Sequence, residues 1–96
     1  MNNEAAYFDD FLTVGAASIG FRIPADTRPV RGYVTVETAA IRFRFEGNKA
    51  NGGIGGGHLA NAGDEFTVEG VDNIKNFQMA ADTATSAKVY YTLEKL

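Results

Sequence analysis

The chain of 96 residues contains no cysteine. Without thiols it cannot form disulfide bonds, a thiolate nucleophile or a cysteine-ligated zinc site. A single domain of this length buries a modest fraction of its surface and here also lacks the usual covalent staples. Assembly into an oligomer is therefore one remaining source of stability.

Long apolar runs, a signal peptide and clusters of basic residues are missing as well. No segment approaches membrane-spanning length, and the first residues lack the basic start and apolar stretch of a secretory signal. We therefore expect synthesis in the cytoplasm and no membrane partner. The formal net charge is -3 and the basic residues are scattered, which argues against nucleic acid as a partner because phosphate binding needs clustered lysine and arginine.

What the sequence does contain is short stretches of alternating apolar and polar residues, the pattern of half-buried β-strands. The clearest is residues 41–45, where Ile41, Phe43 and Phe45 share one face. Further strands are predicted over residues 11–14, 18–23, 33–36, 65–69, 74–80 and 87–93. The inward-facing residues stand at even positions before residue 37 and at odd positions after residue 40, so a turn or a bulge belongs over residues 37–40, and we expect a tight turn.

About seven short strands without a long helix predict an all-β fold, an antiparallel β-sandwich or a jelly-roll, in one domain over residues 1–96. The first thirty residues are less regular, and a partly separate or exchanged N-terminal arm over residues 1–30 is the alternative to their integration in the sandwich. A short helix over residues 4–11 is the alternative to a first strand, since apolar residues there fall near helical spacing.

The glycine-rich run at residues 51–57 and the only histidine, His58, are the first places to look for chemistry. Residues 55–60 fit a relaxed dinucleotide-binding fingerprint, but that motif needs a preceding strand and a following helix, and neither is predicted. A surface loop is the expected structure. Near His58 only Asp64 and Glu65 could serve as ligands or partners, too few for a zinc site or a catalytic triad.

Two carboxylate pairs, Asp9 with Asp10 and Asp64 with Glu65, are adjacent in sequence. Neighbouring residues of a strand point to opposite faces, whereas a glycosidase needs two carboxylates that face each other across a cleft. We therefore predict no catalytic residue, no cofactor, no metal site and no enzymatic activity.

Arg42 and Arg44 lie on the outer face of the clearest strand, opposite its apolar side chains. Two guanidinium groups on one face suit carboxylates of a neighbouring chain or a phosphate. The alternative is a solvated face on which the arginines pair with cross-strand glutamates such as Glu37 or Glu69.

Tyr90 also lies opposite the apolar set of its strand, and Tyr33 is a further outward aromatic residue. Exposed tyrosines of this kind are typical of protein interfaces and sugar-binding sites, although ordinary cross-strand packing is the alternative. We expect an interaction surface on a strand face that bears Arg42, Arg44 and Tyr90.

Several segments between Val34 and Tyr91 carry a family resemblance: Val34-Thr35-Val36-Glu37, Ala40-Ile41-Arg42-Phe43-Arg44, Gly57-His58-Leu59, Ala62-Gly63-Asp64 before Phe66, Asn73-Ile74 with Phe77, and Ala87-Lys88-Val89-Tyr90-Tyr91. With these residues in this order, the chain resembles small bacteriophage virion proteins of the head-decoration, virion-stabilising or tail-associated type. The resemblance implies a compact β-sandwich that assembles on a particle surface.

The function implied by the resemblance is that of a structural protein located in the virion, which decorates or stabilises a capsid or tail. Its partners would be further copies of itself, in a homo-oligomer, and a capsid or tail protein. The alternative is a free carbohydrate- or ligand-binding module, in which Tyr33 and Tyr90 stack on sugar rings.

Overall fold

A computed structural model of the protein describes residues 5–83 and 85–96, and strands account for most of its regular structure. The elements in chain order are β1 (Ala5–Val14), β2 (Arg31–Val36), β3 (Ile41–Arg44), β4 (His58–Ala60), β5 (Glu65–Glu69), α1 (Val71–Asn76), β6 (Gln78–Ala81) and β7 (Ala87–Lys95). The prediction of an all-β, sandwich-like fold is confirmed.

The strands form two antiparallel sheets. The four-stranded sheet has the order β1-β7-β2-β5, and the three-stranded sheet has the order β4-β3-β6. Residues 37–40 and 61–64 pass from one sheet to the other at the same end of the sandwich, where the Val36 amide donates to the Asp64 carbonyl (2.9 Å). We name this the crossover end, and the opposite end, where α1 joins β5 to β6, the helix end.

The core lies between the sheets and follows the alternation of the strands. In β7, Val89, Tyr91 and Leu93 are fully buried, while β3 and β6 contribute Ile41 and Met79 from the opposite sheet. Side chains on alternate positions of each strand thus meet across the sandwich.

An irregular segment, residues 15–23, closes the side of the sandwich between β1 and β6. Phe21 stacks on Phe77 with ring centroids 4.4 Å apart and lies 4.7 Å from the ring of Tyr91. Ile19 exchanges two backbone hydrogen bonds with Met79, and the Ala81 amide donates to the Gly15 carbonyl. This segment therefore lies along the open edge of β6.

The first thirty residues contain more strand at the start, and less afterwards, than the sequence predicts. β1 runs over Ala5–Val14, so the helix alternative is wrong for the described residues, and its first position, Glu4, lies outside them. The predicted strand at residues 18–23 is wrong, since only an isolated bridge between Ile19 and Met79 forms there. β1 pairs with β7 from Ala5 to Val14, with one register shift between Ala6 and Phe8. An exchanged arm over residues 1–30 stays a prediction.

The prediction for the region around residue 74 is also wrong in part. A strand was expected over residues 74–80, but α1 occupies Val71–Asn76 and the strand begins at Gln78. Gly70 has a φ of 97° and its carbonyl accepts from the Ile74 amide, which starts a helical turn directly after β5. Ile74 is buried in this turn, so a single apolar residue satisfies either structure.

Two smaller differences concern the connections. The chain bends at residues 38–39, as the predicted turn requires, but the strands on either side belong to different sheets. The parity change arises because both strands direct their apolar side chains inward from opposite layers. β4 at His58–Ala60 was not predicted, because three residues are too few to show alternation.

Candidate interaction surface

The outer face of the four-stranded sheet carries three exposed aromatic side chains. Phe11 is 51% exposed, Tyr33 38% and Tyr90 41%. They come from β1, β2 and β7, which are neighbours in the sheet. We call this surface the aromatic face; it also includes the outward threonines Thr13, Thr35, Thr67 and Thr92.

The register of the sheet fixes where these side chains stand. Phe11 is paired with Tyr90, and Tyr90 with Thr35; in the next outward row, Thr92 is paired with Tyr33. The rings of Phe11 and Tyr90 lie 6.3 Å apart at an angle of 47°. Because a cross-strand pair restrains both rings, the face presents them with little rotamer freedom left to lose on binding.

The surroundings of the aromatic face are more acidic than basic. The Tyr33 hydroxyl is hydrogen-bonded to the Glu65 carboxylate, and this bond is the main reason why the pKa of Tyr33 is raised above its ordinary value of 10.0. Asp9 accepts a hydrogen bond from Thr92, and Glu69 lies 3.7 Å from Arg31 at the end of the face. The face therefore suits a partner with an apolar centre and basic groups around it.

Arg42 has a different role from the one expected of it. Its Nε donates to Asp82 Oδ1 at 2.6 Å and its Nη1 to the Gly57 carbonyl at 3.3 Å. The same Asp82 oxygen accepts from the Gly53 amide at 3.0 Å. Both ion-pair side chains are mostly buried, with 15% and 19% exposure. The ion pair of Arg42 and Asp82 thus holds the glycine-rich loop against the three-stranded sheet at two points, Gly53 and Gly57.

The ion pair between Arg42 and Asp82 changes the pKa of the Asp82 carboxyl. The hydrogen bond from Arg42, followed by that from the Gly53 amide, lowers the pKa of the Asp82 carboxyl below its ordinary value of 3.8. The carboxylate is therefore charged throughout the neutral range, and the loop stays anchored.

Arg44 pairs with the segment that follows its own strand. Its Nε lies 2.6 Å from Glu46, and its Nη1 lies 3.5 Å from the Lys49 carbonyl. The suggested cross-strand partners, Glu37 and Glu69, are wrong for both arginines, because those glutamates belong to the four-stranded sheet and its crossover.

The predicted site residues therefore divide between two surfaces. Tyr33 and Tyr90 lie together on adjacent strands of the four-stranded sheet, whereas Arg42 and Arg44 lie on β3 of the other sheet. A single strand face bearing Arg42, Arg44 and Tyr90 does not exist. Phe11 completes the aromatic face and was missed, because only the pairing of β1 with β7 places it beside Tyr90.

The remaining candidate residues, His58 and Asp64, make contacts with residues close to them in the fold. His58 is exposed at the start of β4, with its ring 5.4 Å from that of Phe43. Asp64 accepts a hydrogen bond from the Asn61 amide at 2.7 Å, which closes the turn between β4 and β5. Among the described residues, no group of three or more histidine, aspartate or glutamate side chains is placed to hold a metal ion.

No helix in the described part of the chain is long and apolar enough to cross a membrane. Comparison with known proteins finds no match for this chain among family models, curated proteins or solved structures.

Proposed function

We infer that this protein is a structural subunit of a bacteriophage particle, which decorates or stabilises the capsid or tail by docking its aromatic face on a shell or tail protein. The observation that supports the proposal best is the row of exposed Phe11, Tyr33 and Tyr90 side chains on the four-stranded sheet. Tyrosine and phenylalanine are enriched at protein interfaces, and tyrosine is among the common hot-spot residues.

The construction of this face suits a rigid contact. Its rings stand on a sheet whose other side is the fully buried core of Val34, Val89 and Tyr91. A binding surface on paired strands loses less conformational entropy than one on loops. The carboxylates of Asp9 and Glu65 at its margin favour a partner surface with lysine or arginine around an apolar centre.

Binding to particles assembled without this protein tests the proposal. We expect Phe11→Ser and Tyr90→Ser each to weaken co-sedimentation with the particles by about tenfold or more, because each removes a buried aromatic contact. Leu59→Ser is the matched control, an apolar residue of similar exposure (46%) on the other sheet, and should bind as wild type does. Wild-type protein that does not bind, or face variants that bind normally, would refute the proposal.

A carbohydrate-binding module is the second candidate, favoured by the combination of ring faces and threonine hydroxyls on one flat surface. It predicts hits on a glycan array and a large loss of sugar affinity in Tyr90→Ala. An array without hits would eliminate this candidate and leave the particle proposal unaffected.

A further inference from the structure

The glycine-rich loop begins with an asparagine followed directly by a glycine, Asn51 and Gly52, and this is the only such pair in the sequence. Asparagine is a chemically labile residue. The backbone nitrogen of the next residue can attack its side-chain amide carbon and close a five-membered ring. Glycine hinders this attack least, because it has no side chain and its backbone is the most permissive.

The structure leaves both reacting groups open to water. Asn51 and Gly52 are exposed. Within residues 5–83 and 85–96, the Asn51 side chain has no hydrogen-bond partner and the Gly52 amide has no acceptor. A backbone amide that is exposed and not hydrogen-bonded loses its proton to hydroxide more readily than a protected one, and this loss must precede the attack.

The bonds on either side of the pair leave its central peptide free to reorient. The Asn51 amide donates to the Gly56 carbonyl at 3.0 Å, and the Gly53 amide donates to Asp82 Oδ1 at 3.0 Å. The peptide that joins Asn51 to Gly52 lies between these two bonds and, in the described part of the chain, takes part in neither. It can therefore turn towards the Asn51 side chain without breaking a hydrogen bond.

The other asparagines of the described residues lack this combination. Each is followed by a residue that carries a side chain: Asn48 by Lys49, Asn61 by Ala62, Asn73 by Ile74 and Asn76 by Phe77. The side-chain amide of Asn73 also donates to the Glu69 carbonyl at 2.9 Å. Asn48 is exposed in the same connection between β3 and β4, so it differs from Asn51 mainly in the residue that follows it.

We propose that Asn51 is a site of spontaneous deamidation, and that its conversion frees the glycine-rich loop from the three-stranded sheet. Hydroxide removes the proton from the Gly52 nitrogen, which attacks Asn51 Cγ. A bond forms between these two atoms, the Cγ–Nδ2 bond breaks, and the leaving nitrogen takes a proton from water and departs as ammonia. Water then opens the succinimide ring at one of its two carbonyls, which gives aspartate or isoaspartate. Water and hydroxide are the only other reactants.

The isoaspartate product does not fit the contacts that hold the loop. Its main chain runs through Cβ, which adds a methylene between residues 51 and 52. The loop is tightly packed here, since a Cβ on Gly56 would lie 1.8 Å from the Asn51 carbonyl oxygen and one on Gly52 would lie 2.6 Å from the Asp82 carbonyl oxygen. Lengthening the chain at this point therefore breaks the bonds from Asn51 to Gly56 and from Gly53 to Asp82.

Incubation of the purified protein in mildly alkaline buffer, followed by peptide mass spectrometry, tests the chemistry. Cleavage after Lys49 separates Asn48 from Asn51. The Asn51 peptide should gain the mass difference between NH₂ and OH at least about tenfold faster than the Asn48 peptide, which corresponds to a barrier lower by about 1.4 kcal/mol. Part of the product should be isoaspartate, detected with a protein isoaspartate methyltransferase, because direct hydrolysis of the amide gives aspartate alone. The rate should rise with pH.

Hydrogen exchange of the incubated protein tests the release of the loop. The Gly53 and Gly56 amides should exchange about tenfold faster than in fresh protein, because their hydrogen bonds are lost, while exchange in β2 and β7 stays unchanged. Asn51→Gln is the matched control, since glutamine keeps the amide but would need a six-membered ring, and it should keep both its mass and its exchange rates.

Three results would overturn the proposal: conversion of Asn51 no faster than that of Asn48, aspartate without isoaspartate, or unchanged Gly53 exchange in the converted protein. The reaction involves the loop alone and does not rest on the proposed function. Incubated protein should bind particles as fresh protein does, because the aromatic face belongs to the other sheet.

Discussion

Replacing Tyr91 with phenylalanine removes one hydroxyl from the interior of the sandwich. The ring is fully buried in β7. Its hydroxyl accepts a hydrogen bond from the Arg22 amide at 2.7 Å, and it lies 3.2 Å from Asp10 Oδ2 and 3.1 Å from the Arg22 carbonyl. This one atom therefore ties β1 and the irregular segment of residues 15–23 to the centre of the four-stranded sheet.

The expected loss at neutral pH follows from these bonds. Phenylalanine keeps the ring packing, so no large cavity forms, but the Arg22 amide and carbonyl lose their partner. Removing one member of a part-buried hydrogen bond costs about 1 to 3 kcal/mol. We therefore expect the free energy of unfolding of Tyr91→Phe to be lower by this amount.

The pH dependence gives a second signature that packing alone cannot produce. Burial, the main cause, raises the pKa of Tyr91 from 10.0 to about 12. Between these values the unfolded chain has released a proton that the folded chain retains, so the stability of the wild type falls as pH rises. A difference of about two between the pKa values of the folded and unfolded chains lowers the free energy of unfolding by about 3 kcal/mol at pH 12. Tyr91→Phe lacks this loss, so its deficit should disappear at high pH.

Urea titrations of both proteins at a series of pH values between neutral and 12 measure this difference directly. Tyr33 also has a raised pKa, but it is present in both proteins and cancels in the comparison. Tyr90→Phe is the matched control, since Tyr90 is the adjacent residue on the exposed face, and it should change stability by less than about 0.5 kcal/mol. A deficit of Tyr91→Phe that stays constant across this pH range would refute the assignment of the buried hydroxyl.

Other predictions concern the second sheet and its loop. Phe43→Ala should lower the free energy of unfolding by about 3 kcal/mol in urea titration, because Phe43 stacks on Phe66 at 4.5 Å and on Phe77 at 5.7 Å; a loss below about 1 kcal/mol would contradict this packing. Asp82→Asn should accelerate hydrogen exchange of the Gly53 amide, with exchange in the strand amides unchanged. Because the pKa of Asp82 is lowered, its contribution is complete above 3.8 and lost as pH falls below that value, so the wild-type loop should loosen in acid. Equal exchange in Asp82→Asn and wild type would show that the carboxylate does not anchor the loop.

The fold could be predicted from the sequence where apolar and polar residues alternate over several consecutive positions. Residues 41–45 and 87–93 each place three apolar side chains on one face. β3 covers Ile41–Arg44 and β7 covers Ala87–Lys95, and the apolar side chains of both segments, including Phe45 just after β3, pack on the core. Ile74 shows the limit, because one buried residue between polar neighbours fits a strand and a helical turn equally well. The helix forms because β5 ends at Glu69 and Gly70 has a positive φ angle, and the hydrophobic pattern shows neither feature.

The candidate site was predictable only in part, and for the same physical reason. Outward positions of Tyr33 and Tyr90 follow from local alternation, and the sheet does place them on one face. The pairing of Phe11 with Tyr90 and of Arg42 with Asp82 depends on partners 79 and 40 residues away, respectively. Such contacts follow from strand register and sheet order, which local periodicity does not encode.

The backbone contacts of residues 15–19 with β6 have a consequence for solubility. β6 is an edge strand of the three-stranded sheet, and its sequence Gln78-Met79-Ala80-Ala81 carries no charge to discourage pairing with another chain. The bonds from Ile19 and Gly15 satisfy this edge inside the same molecule. Any condition that detaches residues 15–19 exposes the edge of β6, an uncharged strand that can pair with another chain. Precipitation would then start from a molecule whose two sheets are still folded.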